Sequence, residues 1–287
     1  MNKNILVTGA NGQLGSEIRK LSPRFSSFTF FFTDIEELDL LNKSIISNFI
    51  IDNRISYIIN CAAYTNVEKA EDEPEVCMKV NRDAVRNLAD AAKGKAHIVH
   101  VSTDYVFDGK GNTSLKETDP VNPQSVYGES KLEGERVLME VSPENIIIRT
   151  SWLYSEFGNN FVKTMLRLGK EKSSLRVVND QFGSPTYAGD LAQAILDILI
   201  FTENKNSLPS GIYHYANEGV CSWYDFCLKI LELANIEDCV VTPVPTSEYP
   251  TKATRPLYSV LDKTKIKQTF DLKIPDWQVS LKKCILI

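Results

Sequence analysis

Lys3-Asn4-Ile5-Leu6-Val7-Thr8-Gly9-Ala10-Asn11-Gly12-Gln13-Leu14-Gly15 is the stretch on which the reading of this chain turns. Ile5, Leu6 and Val7 form an apolar run of the kind that fills a parallel strand buried on both faces. Glycines follow at positions 9, 12 and 15, and Glu17-Ile18-Arg19-Lys20-Leu21 can carry on as a helix. Strand, glycine turn and helix start make a phosphate cradle. Glycine permits tight dihedrals and lets an anion approach bare N–H groups at the helix end. The spacing Gly-x-x-Gly-x-x-Gly is a variant of the dinucleotide motif Gly-x-Gly-x-x-Gly. A tight turn with no ligand is the alternative on these residues alone; the strand before and the helix after favour the nucleotide.

Working outward, Phe28 to Phe32 reads as a second strand ending at Thr33-Asp34. An acid there is placed to accept hydrogen bonds from adenosine ribose hydroxyls, and it would repel a 2′-phosphate. Asp34 as a plain turn residue is the other reading. Leu38-Asp39-Leu40 follows, with Asp39 beside the adenine, before a helix from Lys43 to Ile51. Tyr57-Ile58-Ile59 is a third strand. Its end, Asn60-Cys61-Ala62-Ala63-Tyr64-Thr65, is small enough to leave room for the flat surfaces of a cofactor. Val67 to Ala70 reads as a short helix. Pro74 opens a long one through Ala91, with Val76, Val80, Val85 and Leu88 toward the core and Asn81 toward solvent.

Ala96 to Val101 is a fourth strand, and Ser102-Thr103-Asp104-Tyr105-Val106-Phe107 follows it. In a doubly wound sheet the chemistry gathers beyond the carboxyl ends of the strands, so substrate contacts are expected here. Lys110 to Pro123 reads as a loop, placed to act as a flap over the site. The next helix, to about Met139, carries Tyr127 and Lys131 four apart on one face. A phenol beside an ammonium is a general-acid arrangement, the positive charge favouring the phenolate. In isolation, a boundary Tyr and a surface Lys is the plainer account. Asn145 to Ile148 is a fifth strand leading to Arg149-Thr150-Ser151-Trp152, where Trp152 lines a sugar pocket or closes the core.

The strand–helix rhythm loosens near residue 155. The expected organisation is an α/β, Rossmann-type doubly wound parallel sheet over 1–155, with 156–287 mainly a smaller substrate lobe and some segments returning to the first domain. Expected later elements are helices over Val162–Lys170, Tyr187–Leu199 (Asp190 and Asp197 outward), Trp223–Ala234 (capped by Ser222) and Trp277–Ile287. Strands are expected at 176–178, 212–216 and 240–244.

Composition narrows the function. A length of 287 residues suits one large α/β domain with a smaller lobe. The net charge of −5, with no basic block, argues against a nucleic-acid partner. No apolar run is long enough for a membrane span. The chain enters its first strand at once, leaving no room for a signal peptide, so a cytoplasmic protein is expected. Six cysteines without a Cys-x-x-Cys pair and three histidines support packed free thiols over a zinc site.

Together these residues resemble the extended short-chain dehydrogenase/reductase family and, within it, the dTDP-4-dehydrorhamnose reductases. The general signals are Gly9, Gly12 and Gly15 with the pair Tyr127 and Lys131. The narrower ones are 102–107, 149–152, Gly158-Asn159-Asn160-Phe161, Asp180-Gln181-Phe182-Gly183-Ser184-Pro185-Thr186 and Arg255-Pro256. The resemblance implies reduction of the 4-keto group of a dTDP-4-dehydro-6-deoxy-L-sugar by NADPH or NADH. It makes Thr103, Tyr127 and Lys131 catalytic. It gives Gly9, Asn11, Gly12, Gln13, Leu14 and Gly15 to the pyrophosphate, Asp34, Asp39 and Leu40 to the adenosine end, and Ala62, Ala63 and Tyr64 to the cofactor wall. Thr103, Asp104, Tyr127 and Trp152 would meet the sugar, and Asn160, Phe161, Gln181 and Arg255 the nucleotide end. It implies a monomer or a homodimer, the latter with Mg2+ at the interface; no carboxylate cluster in the sequence marks that ion. An epimerase, a dehydratase or a catalytically silent NAD(P)-binding subunit remain as alternatives. Thr103-Asp104 supplies one acid where a dehydratase expects a pair.

Overall fold

The computed structural model describes residues 2–286. Its first half alternates strand and helix: β1 (Lys3–Thr8), α1 (Gln13–Leu21), β2 (Phe28–Thr33), α2 (Lys43–Asp52), β3 (Ile55–Asn60), α3 (Val67–Ala70), α4 (Pro74–Met78), α5 (Ala84–Ala92), β4 (His97–Thr103), α6 (Val126–Val141) and β5 (Ile146–Thr150). The second half holds β6 (Leu153–Tyr154), α7 (Phe161–Glu171), β7 (Ser174–Val178), β8 (Phe182–Gly183), β9 (Thr186–Tyr187), α8 (Ala188–Lys205), β10 (Gly211–His214), β11 (Cys221–Ser222), α9 (Trp223–Leu233), β12 (Val240–Val244), α10 (Thr264–Phe270) and α11 (Trp277–Ile285).

Six strands form one parallel sheet in the order β10-β5-β4-β3-β1-β2. The chain winds one way from β1 to β2 and the other way from β3 onward. The sheet is therefore doubly wound, with its switch point between β1 and β3. Period-two alternation explains both faces. Ile5, Val7, Tyr57, Ile59, Val99, Ile146 and Ile148 pack under α1 and α8. Leu6, Ile58, Ile98 and Ile147 pack under α2, α5 and α6. Each such aliphatic side chain, fully buried, contributes about 1.5–3 kcal/mol.

The smaller lobe has its own core, in which Val162, Met165, Val177, Tyr187, Phe226, Ile230, Trp277 and Leu281 meet. Ser222 caps α9 in a reciprocal capping box with Asp225. Side-chain bonds seam the lobe to α1: Ser155 donates to the buried Glu17 at 2.7 Å, Asn160 donates to Gln13 at 2.9 Å, and Lys20 pairs with Glu156. Burial raises the pKa of Glu17 against that hydrogen bond.

Several expectations are corrected. The helix expected over 74–91 is broken by a π turn, Lys79–Asp83, between α4 and α5. Val76, at 46% exposed, and Val80, which lines the cleft, are not in the core as expected. Asp190 faces inward and accepts from Asn217 and Ser280, because α11 packs over that face of α8. The 110–123 loop is no flap over the cleft. Leu115 donates to Val260 and accepts from Asp262, which pins the loop to the Leu261 segment. Helix α10 was not anticipated. Among the described residues no helix is long and apolar enough to cross a membrane, and all six cysteines are free.

Candidate active site

A cavity of 1190 Å³ opens beyond the carboxyl ends of β1, β3, β4 and β5, bounded on its far side by the smaller lobe. That exceeds the 300–1,000 Å³ typical of a pocket for one small ligand.

The near wall is mostly backbone. Gly9 turns at φ +63°, and a Cβ there would lie 2.6 Å from the nitrogen of Ala62, so only glycine fits. Gly12 is the N-cap of α1 and offers no side-chain acceptor, and the first turn carries no acid. The free N–H groups of Gln13 and Leu14 therefore suit an anion. Asn11, Gly12, Gln13, Leu14, Asp39, Leu40, Ala62 and Ala63 all line the cavity. Asp34 lines it with its carboxylate tied in place, accepting from the Asn11 and Ile35 amides at 3.0 and 2.9 Å. These residues fit a dinucleotide: an anion site at the helix start, a carboxylate at the β2 end and small side chains between.

Two near-wall residues stand back from the cavity. Gly15 packs behind the loop against Ala10. Tyr64 turns its hydroxyl to Glu73 at 3.0 Å. Its backbone is clasped by Asn81, which accepts from the Tyr64 N–H at 2.8 Å and donates to its carbonyl at 3.0 Å. Asn81 also donates to Ser130 at 2.9 Å, and at 1% exposure it is not the solvent-facing residue expected. A polar residue in an apparently regular helix gave no sign of this; the π turn reorients it.

At the junction of the walls, Ser125 caps α6 by accepting from Gly128, which sets Tyr127 and Lys131 facing the strand ends. Thr103 donates to Asp104 at 3.0 Å and hydrogen-bonds Tyr127. Tyr105 meets the Tyr127 ring edge-on, 5.5 Å between centroids. Lys131 donates to the Val101 carbonyl at 2.6 Å. Burial pushes Lys131 down to about 8 and Asp104 up to about 6. Burial also lifts the Tyr127 phenol above its ordinary value, outweighing the Thr103 hydrogen bond. In this cavity desolvation thus dominates over the lowering expected from Lys131, and the phenol keeps its proton at neutral pH. Glu135 and Arg149, each 3% exposed, lock α6 onto β5 through two bonds of 2.9 and 2.7 Å.

The far wall is built of side chains. Trp152, at φ +49°, stacks flat on Trp223 with centroids 3.6 Å apart. Phe161 packs beside Trp223 at 4.6 Å. Asn160 lines the cleft, but its side chain also caps α7 and braces Gln13. Gln181, 3% exposed, donates to Thr246 at 3.1 Å. Arg255 pairs with Glu68 at 2.7 Å, bringing the segment 249–255 across to α3. Trp223, Tyr249 and Thr251 line this wall and were missed in the sequence. Ser222 marked the start of a helix, and nothing local said that its first residue faces a cleft. Among the described residues no group of three or more His, Cys, Asp or Glu side chains is arranged to hold a metal ion.

Comparison with known proteins agrees with this geometry. The RmlD substrate binding domain family matches residues 3–286. A dTDP-4-dehydrorhamnose reductase of Aggregatibacter actinomycetemcomitans is 45% identical over 284 residues, covering 97% of each chain. A crystal structure of a dTDP-4-dehydrorhamnose reductase from Clostridium acetobutylicum is 44% identical with a TM-score of 0.91, covering 98% of each chain. That of the reductase from Bacillus anthracis in complex with NADP is 38% identical with a TM-score of 0.92, covering 100% of this chain and 99% of that one. The similarity to these proteins runs along nearly the whole length of the chain, and the chain belongs to the dTDP-4-dehydrorhamnose reductase family of extended short-chain dehydrogenase/reductases.

Proposed function

We propose that this chain reduces the C4 keto group of dTDP-4-dehydro-L-rhamnose to dTDP-L-rhamnose with NAD(P)H. The observation that carries the reading is Thr103, Tyr127 and Lys131 converging between the glycine cradle and the Trp152–Trp223 wall. When bound, the nicotinamide supplies hydride for C4 of the keto sugar. Tyr127 donates its proton to the oxygen as alkoxide character develops. Its raised pKa keeps that proton in place until the oxygen becomes basic. Thr103 turns its one hydroxyl proton from Asp104 to the same oxygen and hydrogen-bonds it there. Lys131 holds the nicotinamide ribose, and its ammonium favours the phenolate left behind. Asp104 and Trp152 orient the sugar, while Asn160, Phe161, Gln181 and Arg255 hold the nucleotide end.

Asp34 supports use of NADH, and the NADP complex of the Bacillus anthracis relative supports NADPH; the proposal includes both. A monomer or a homodimer is compatible with this reading. An interfacial Mg2+ would need donors from both protomers, because no cluster on this chain supplies them among the described residues. The six free thiols support a cytoplasmic setting.

The test is oxidation of NADPH and of NADH on enzymatically generated dTDP-4-dehydro-L-rhamnose, with the sugar product identified. Consumption matched one-to-one by dTDP-L-rhamnose is expected. A flat trace with cofactor binding intact would point to another keto sugar or to an NAD(P)-binding regulatory subunit.

A further inference from the structure

Behind the cleft, four buried side chains run in a line from the glycine loop to Lys131. Thr8 donates to Asn60 Oδ1 at 2.7 Å, and the Ala62 amide donates to the same oxygen at 3.2 Å. Asn60 Nδ2 lies 3.0 Å from His100 Nδ1, and His100 Nε2 lies 3.5 Å from Lys131 Nζ. None of the four is more than 2% exposed.

The backbone end sets the direction of the line. An amide N–H can only donate, so Ala62 fixes which end of the Asn60 side chain is oxygen. The other end is NH2 and donates to His100 Nδ1. A neutral imidazole that accepts at Nδ1 carries its proton at Nε2. Burial and the nearby Lys131 hold the His100 pKa well below its usual value, so the ring is neutral. Its Nε2–H therefore points at Nζ. That meeting sets donor against donor when the lysine is charged, and becomes a hydrogen bond when the lysine is an amine.

We propose that His100 is a positioning residue for Lys131: the Thr8–Asn60–His100 line locks the ring in its Nε2–H tautomer, and that N–H biases the lysine toward the amine. The inference rests on the role assigned to Lys131 above. The other groups facing Nζ are the Val101 carbonyl on β4, Cys61 after β3, Cys77 on α4, and Glu135 and Tyr127 on its own helix. Glu135 favours the ammonium, burial opposes it more strongly, and the two buried thiols, their pKa values pushed up by burial, stay neutral. None of them belongs to the line, so substitutions within it leave these influences in place.

Nitrogen-15 spectra of the histidine-labelled chain read the lock directly. Only three histidines need assignment, and His100→Gln identifies the signal by its loss. A protonated Nε2 and a bare Nδ1, with no titration from about pH 6 to 9, are expected. An Nδ1–H tautomer in the wild-type chain would overturn the proposal. The functional arm is N60D. Ionised, its second oxygen can only accept, so the ring proton moves to Nδ1 and Nε2 turns to Lys131 as an acceptor. The ammonium then persists to higher pH, and the basic limb of kcat against pH moves up by about one unit or more. H100Q, which adds no charge and can turn its amide oxygen to the lysine, moves the limb the same way. A limb fixed in both folded variants, with only kcat or Tm reduced, also overturns it. The tautomer is read without substrate, so failure of the lock and failure of the reductase reading are separate results.

Discussion

The two walls of the cleft are made in different ways. The near wall presents mostly main chain: the glycine loop, the first turn of α1 and the β2 end, within residues 8–34, backed by Ala62 and Ala63 after β3. The far wall presents rings and long polar side chains drawn from 152, 160, 181, 223 and 255. Main-chain recognition is fixed by what a short segment can fold into. Side-chain recognition depends on where distant segments are delivered. The near wall should therefore fail abruptly when one atom is added, and the far wall by degrees as rings are removed.

The largest effect belongs to the junction. Tyr127→Phe should bind cofactor normally and lose about 10²–10⁴ in kcat, the range for a positioned proton donor. Near-wild-type turnover would remove Tyr127 as the acid, and Thr103→Val should lose less. Next comes Gly9→Ala. Left-handed backbone costs an L-residue about 1–2 kcal/mol and overpacking a further 1–3 kcal/mol. Cofactor affinity by calorimetry should fall roughly a hundredfold or more, each tenfold being about 1.4 kcal/mol. Unchanged affinity would collapse the distinction between the walls. Trp223→Ala should instead raise KM for the sugar nucleotide up to about tenfold, the worth of one aromatic stack, with cofactor binding unaffected. Smallest is Asp34→Asn. It removes a repulsion of about 1 kcal/mol toward a 2′-phosphate, shifting kcat/KM about fivefold from NADH toward NADPH. No shift would mean that the carboxylate, tied to Asn11 and Ile35, does not reach the ribose.

The same difference explains what was legible. The parallel strands could be read because burial on both faces leaves unbroken apolar runs such as Ile146-Ile147-Ile148. The glycine cradle could be read because its geometry is local. Ser222 announced its helix by cap chemistry, whereas the Ser125 cap emerged only in the structure. Trp223 and Tyr249 could not be placed, since facing the cleft depends on how the lobe docks. Asp190 was misread because an acid on a helix gives no hint of the Ser280 and Asn217 that enclose it. The order of influences on Tyr127 was also invisible, because desolvation belongs to the assembled cavity and not to the Tyr127–Lys131 spacing.

The π turn at Lys79–Asp83 makes its helix a rod in two phases. An α-helix advances about 100° per residue, and one surplus residue rotates everything after it by that amount. Cys77 before the turn and Val85 and Leu88 after it all reach the interior. Within the turn Val80 faces the cleft, while Asn81 grips the Tyr64 loop. The neighbouring helix is cut to the same phase. The Asn81 carbonyl sits where a Cβ on Gly134 would be, at 2.2 Å. The chain is thus more vulnerable here to a change in count than to a change in kind. Deleting one residue between 79 and 83 would yield a more regular helix, and it would uncouple the cofactor-side loop from the helix that carries Tyr127 and Lys131.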